Sequence, residues 1–137
     1  MQPRWSRPLF LVAAVYDGLL GLAFTFVAPT IFAYFGVTPP NHYGYVQFPG
    51  LLLILFATMF VQIARDPVKY RDMIPYAAAF KASYCAPVFW YKLQNNIPAM
   101  WMPFAWADLV FLVLFLMVWR SAQAPAVATD RPARADR

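Results

Sequence analysis

A chain of 137 residues that is 62% hydrophobic and only 12% charged, with a mean hydropathy of +0.52, departs from soluble composition, where roughly a quarter of residues are charged. A soluble domain of this length lacks the interior volume to hide so much apolar surface, so lipid must act as part of the solvent. The net charge of +5 does not indicate a nucleic-acid partner, because no basic helix face is interleaved with exposed aromatics and the charges gather at segment ends. The single cysteine, Cys85, excludes an internal disulfide.

Four apolar stretches follow in chain order: residues 8–28, 45–64, 73–91 and 102–119. Each approaches the ~20 residues with which an α-helix crosses ~30 Å of hydrocarbon. Backbone polar groups in lipid must be satisfied inside the segment, which makes helices the spanning solution. The fold class expected is all-α, an integral membrane four-helix bundle occupying residues 1–120. The first stretch is a retained helix rather than a signal peptide: Asp17 and Gly18 interrupt its apolar run, and no small-x-small cleavage site follows.

Lys and Arg set the orientation. Arg4 and Arg7 precede the first stretch, Arg65, Lys69 and Arg71 join the second to the third, and Arg120, Arg131, Arg134 and Arg137 follow the fourth. Those nine lie on one side, against Lys92 alone on the other, so the positive-inside rule places both termini in the cytoplasm. The outer segment after the first stretch, PTIFAYFGVTPPNHYG, is expected to lay Phe32, Tyr34 and Phe35 in the interface as a short helix. Trp90, Tyr91, Trp101 and Trp106 are expected to form an aromatic belt at that boundary. Residues 121–137, rich in Ala, Pro and charge, read as a disordered cytoplasmic tail.

Asp17, Lys81 and Asp108 are ionisable residues inside apolar stretches. A charge at the bilayer centre costs on the order of 3 kcal/mol on insertion scales, so three of them in so small a protein need partners. At ~1.5 Å per residue they lie roughly 13, 12 and 17 Å from the cytoplasmic boundary, one level within the scatter of helix tilt. Lys81 is therefore expected between the two acids. On the first helix Asp17, Gly21 and Thr25 share a face, with Ala14 and Gly18 as a small-xxx-small pair beside them. On the third, Ala77, Lys81, Tyr84 and Cys85 share one, and Pro87 frees a carbonyl near Ser83. On the fourth, Leu and Phe residues beyond Asp108 are expected to face lipid. Gln47, Tyr45 and His42 are expected to roof the pocket.

Such a centre has a structural reading, a charge network that fixes helix register. It also has functional ones: a pocket for a lipophilic ligand, a proton relay, or acid/base chemistry on a lipid-soluble substrate. Two acids and one base carry a formal charge of −1 unless a proton is shared among them. One histidine and one cysteine at different depths do not make a zinc site, and no second histidine is present to complete a bis-histidine haem. Gly18-Leu-Leu-Gly21 is too short and apolar to cradle a phosphate. No cofactor, metal or catalytic residue is assigned.

The first-helix run YDGLLGLAF, followed by Ala28-Pro29, and the outer turn FGVTPP resemble the DoxX-like group of small four-helix bacterial membrane proteins. That resemblance implies a membrane protein, in some members a partner of redox enzymes. A fainter resemblance, to the EXPERA group of four-helix sterol-binding and isomerising proteins, implies acidic residues in a membrane-embedded pocket, a role Asp17 and Asp108 would fill. Neither carries a site over. The expectation is a non-enzymatic protein that binds a lipophilic small molecule or serves in a larger membrane complex or homo-oligomer, among membrane lipids and without nucleic acid. The alternatives are a membrane-embedded enzyme acting on a lipid or sterol-like substrate, or a proton-coupled transporter built as an oligomer.

Overall fold

The computed structural model describes residues 3–123, and every regular element among them is helical. The four expected stretches appear as long helices: α1 (Ser6–Phe26), α3 (Gly44–Arg65), α4 (Ile74–Leu93) and α5 (Met102–Gln123). Between the first two lies α2 (Ala28–Tyr34), the short helix expected after the first stretch. Among the described residues, three helical segments are long and apolar enough to cross a membrane: α1, α3 and the run Ala99–Ala122. The 20-residue α4 is less apolar, since it carries Pro75, Lys81, Ser83, Pro87 and Lys92.

Most helix ends lie one to four residues from expectation, and two of these shifts bear on the neighbouring segments. The first helix ends at Phe26 rather than residue 28, because Val27 leaves helical geometry and Pro29 restarts the chain as α2, at a position where a missing N–H costs nothing. The last helix continues to Gln123, so residues 121–123 are helical and the disorder expected from 121 onward does not begin there. The rest of the expected tail, residues 124–137, lies outside the described residues.

Local chemistry stops α2 and α4 cleanly. At the end of α2 the Gly36 N–H donates to the Ala33 carbonyl and the Val37 N–H to the Phe32 carbonyl, with Gly36 at φ 62°. At the end of α4 the same pattern recurs: Asn95 donates to Lys92 and Asn96 to Tyr91, with Asn95 at φ 53°. Both are Schellman caps, which need a left-handed residue where Gly or Asn is least strained. At the opposite end, Arg7 Nη2 donates to the carbonyl of Arg65 at 3.1 Å and satisfies one of the orphan acceptors closing α3.

The bundle is built from two helix pairs. α1 packs antiparallel on α3 along a seam of small residues, with Gly18 against Ala57 and Gly21 against Gly50. A methyl group on Gly21 would lie 2.6 Å from the Gly50 carbonyl oxygen, so the backbones approach as closely as helices can. α4 packs antiparallel on α5. Between the pairs, large side chains fill one end: Phe10, Phe60, Ile63, Ile74, Phe115 and Val118 are all fully buried. Phe10 stacks on Phe115 at 4.5 Å between ring centroids, and Phe60 meets Phe115 edge-on at 5.4 Å. This end, which carries the α3–α4 turn, is the closed end. The expectation that Phe residues beyond Asp108 face lipid is corrected here. Phe115 lies two turns beyond Asp108 on the same helix face, so it points inward as Asp108 does.

Candidate functional site

Above the closed end the core changes character. Lys81 sits on the α4 face that looks across to α1 and shares that face with the fully buried Ala77. Its Nζ donates to Asp17 Oδ1 at 2.6 Å and to Asp108 Oδ1 at 2.8 Å. One lysine thus ties an acid from the α1/α3 pair to an acid from the α4/α5 pair, and its side chain is entirely inaccessible. An ammonium has three protons to donate. Beyond the two carboxylates, the surroundings of Nζ are aromatic: the ring centroids of Tyr16, Phe111, Phe80 and Phe60 lie 5.4, 5.4, 5.6 and 5.8 Å away. Their π faces offer cation–π stabilisation in a place without water.

The two acids are not equivalent. Asp17 is sealed at 0% side-chain exposure, and its Oδ2 has no hydrogen-bond partner. Asp108 retains 8% side-chain exposure and lines a cavity. Its Oδ1 is occupied by Lys81, and its second oxygen receives no hydrogen bond from the described residues. Asp17 is structural in its surroundings, whereas Asp108 shows one edge of its carboxylate to open space.

That space is a cavity of about 660 Å³ in the half of the bundle away from the closed end. Its back wall is Leu20, Phe24, Phe32, Trp101 and Phe104, its flanks are Leu53 of α3 and Val88 of α4, and Asp108 is its floor. The stacked rings of Phe56 and Phe80, 3.8 Å apart and within 2° of parallel, join α3 to α4 beside the fully buried Lys81. Pro49 in α3 and Pro87 in α4 both line the cavity, each within a helix where it removes one backbone hydrogen bond.

The remaining expected site residues divide. Tyr84 lines the cavity, but its hydroxyl donates to the Trp101 carbonyl at 3.2 Å rather than to the acids. Tyr45 also lines it. Gln47 and His42 do not form the expected roof. The Gln47 amide donates to the Thr25 carbonyl at 3.3 Å, bridging α3 to α1, and His42 Nδ1 accepts from the Gly44 N–H at 3.0 Å, fixing the start of α3. Both satisfy helix-end backbone, a stronger local demand than reaching into an apolar space. Ser83 donates to the Phe80 carbonyl, not to the one freed by Pro87. Thr25, expected on the polar face with Asp17, instead turns to α3, where a Cβ on Gly50 would meet its hydroxyl oxygen at 2.7 Å.

Trp101 is not part of an aromatic belt. It is only partly exposed, stacks on Phe24 at 5.6 Å and meets Phe32 at 6.0 Å, while Trp90, Tyr91 and Trp106 are exposed. Sequence reasoning missed the aromatic box around Lys81. The available signal was adjacency: Tyr16 precedes Asp17, Phe80 precedes Lys81, and Phe111 follows Asp108 by one turn. Among the described residues, no group of three or more His, Cys, Asp or Glu side chains is placed to hold a metal ion. Comparison with family models, curated proteins and solved structures finds no match for this chain.

Proposed function

We propose that this protein is a small four-crossing protein of a bacterial inner membrane, with both termini in the cytoplasm, that binds a lipophilic small molecule in the cavity above the Asp17–Lys81–Asp108 centre. The observation that carries the reading is the cavity itself. A network serving only to fix helix register has no need of an adjoining space, yet here an apolar cavity of about 660 Å³ reaches the charged level and ends on a carboxylate. Ligand pockets run from roughly 300 to 1,000 Å³, mostly apolar with a few convergent polar groups.

Connectivity supports reading four crossings. α3 and α5 are each long and apolar enough to span, and α4 joins them, runs antiparallel to α5 and carries Lys81 to the level of Asp108. The charge distribution supports the orientation. The DoxX-like resemblance of YDGLLGLAF and FGVTPP agrees with this layout, and a larger membrane complex or homo-oligomer is compatible with it.

Native mass spectrometry of the protein released from membranes tests the ligand reading. A retained lipophilic molecule that is lost from Leu53→Trp, in which the indole fills the cavity, is the expected result. A wild-type protein that carries no such adduct and takes up none of the small lipophiles offered to it contradicts it. Topology is tested separately. A cysteine at Gln94 labels with a membrane-impermeant maleimide in intact cells and one at Val68 does not; the native Cys85 is buried and contributes little background. The reverse pattern overturns the orientation.

A further inference from the structure

The asymmetry between the two acids specifies more than a lipophilic ligand. Asp17 Oδ2 is enclosed on all sides, so no ligand reaches it. Asp108 meets the cavity with an oxygen that no donor among the described residues satisfies. Around Lys81 two carboxylates face one ammonium, so the centre is electron-rich on the side it shows to the cavity. The cavity brings no basic side chain of its own: its polar members are Thr38, Tyr45, Ser83, Tyr84, Asp108 and the indole N–H of Trp101. Of these, Ser83 and Tyr84 already spend their protons on the carbonyls of Phe80 and Trp101. At Asp108 an acceptor or anionic head would therefore meet a carboxylate, while the donors left to the cavity, the Thr38 and Tyr45 hydroxyls and the Trp101 indole N–H, belong to the loop after α2, the start of α3 and a position seven residues before Asp108. A head that donates finds an acceptor in a low-dielectric space, where such a bond is strong.

The cavity also has a direction. Beside Lys81 the Phe56–Phe80 stack joins α3 and α4. Farther along, Pro49 on α3 and Ser83 and Pro87 on α4 line the cavity while exposed on the outer face of the bundle. The opening thus lies on the flank between the two helices, where acyl chains surround the bundle.

Resting on the ligand-binding reading, we propose that the ligand is an amphipathic lipophile with a hydrogen-bond-donating head, a hydroxyl or an amine. The head is seated on the free oxygen of Asp108, and the apolar body lies between α3 and α4. The Asp108 carboxylate selects the head, and the aromatic back wall of Phe24, Trp101 and Phe104 holds the body.

Three photoactivatable probes with one diazirine-bearing alkyl tail and an alcohol, amine or carboxylate head test this on the full-length protein in nanodiscs. The crosslinked peptides are mapped by mass spectrometry. The alcohol and amine are expected to label residues 49–53 and 83–88, and the carboxylate to label them about tenfold less, the penalty of a buried like charge facing Asp108. Asp108→Asn is expected to narrow the gap between amine and carboxylate, while Leu53→Trp, which leaves the charged centre intact, abolishes labelling by all three. Carboxylate labelling equal to amine labelling in the wild type overturns the head-group assignment and leaves the pocket standing. Labelling elsewhere only, or unchanged in Leu53→Trp, overturns the pocket itself. The relative yields of alcohol and amine identify which donor the site prefers.

Discussion

The two ends of this bundle use the same materials for opposite results. At the closed end, Phe10, Phe60 and Phe115 interlock with Ile63, Ile74 and Val118 until nothing is accessible. At the other end, Phe24, Phe32, Trp101 and Phe104 also make ring contacts, at 5.6–6.1 Å, and still line an open cavity. Aromatic content is not the difference. The closed end receives side chains from all four long helices. At the open end α3 and α4 part, and α2 with the 36–43 segment covers only the end of the gap. The charged centre stands at the boundary, with Asp17 sealed and Asp108 facing the cavity. A packed end can hold a buried ion triad in register while a loose end keeps one of its oxygens available.

That contrast can be broken at its boundary first. Lys81→Met leaves two buried acids without their base, and breaking a buried pair typically costs about 3–5 kcal/mol. The expected outcome is a large drop in thermal stability and in folded yield in detergent; an unchanged Tm would sink the network. Next come the two ends. Phe115→Ala should cost about 3–5 kcal/mol, since a fully buried ring leaves a void the rigid closed end cannot collapse. Phe104→Ala, beside a space that already exists and from a half-buried ring, should cost roughly half as much. Equal losses in parallel thermal melts would mean that the ends do not differ in packing.

A smaller effect is expected at the α1/α3 seam. Gly21→Ala places a methyl group against the Gly50 carbonyl and should cost about 1–3 kcal/mol as the helices are pushed apart. Wild-type stability in that variant would show that the seam yields freely. Least of all, Leu53→Trp should change stability by no more than about 1 kcal/mol, because the indole enters space that is already open. A severe loss of folded protein would instead mean that α3 is tightly packed along the cavity.

Apolar run lengths located the four long helices to within a few residues at most ends, because a helix satisfies its own backbone hydrogen bonds within the segment and needs no distant partner to do so. Helical spacing together with a depth argument brought Asp17, Lys81 and Asp108 to one level, because a buried charge has few affordable places to go. What the residues alone did not determine depends on how helices approach one another. Gly50 became visible as the partner of Gly21 only when α1 and α3 were laid together. Trp101 moved from a boundary belt to the back of the cavity, and Gln47 and His42 turned to helix-end backbone. The difference between Asp17 and Asp108 was also beyond the sequence. Both are lone acids in apolar helices, and only the closure of one helix pair and the parting of α3 from α4 gave one of them a free oxygen and a space to face. Run length and charge are local properties that each segment carries with it, whereas a cavity is the volume that packed side chains fail to fill, so it exists only once every helix is in place.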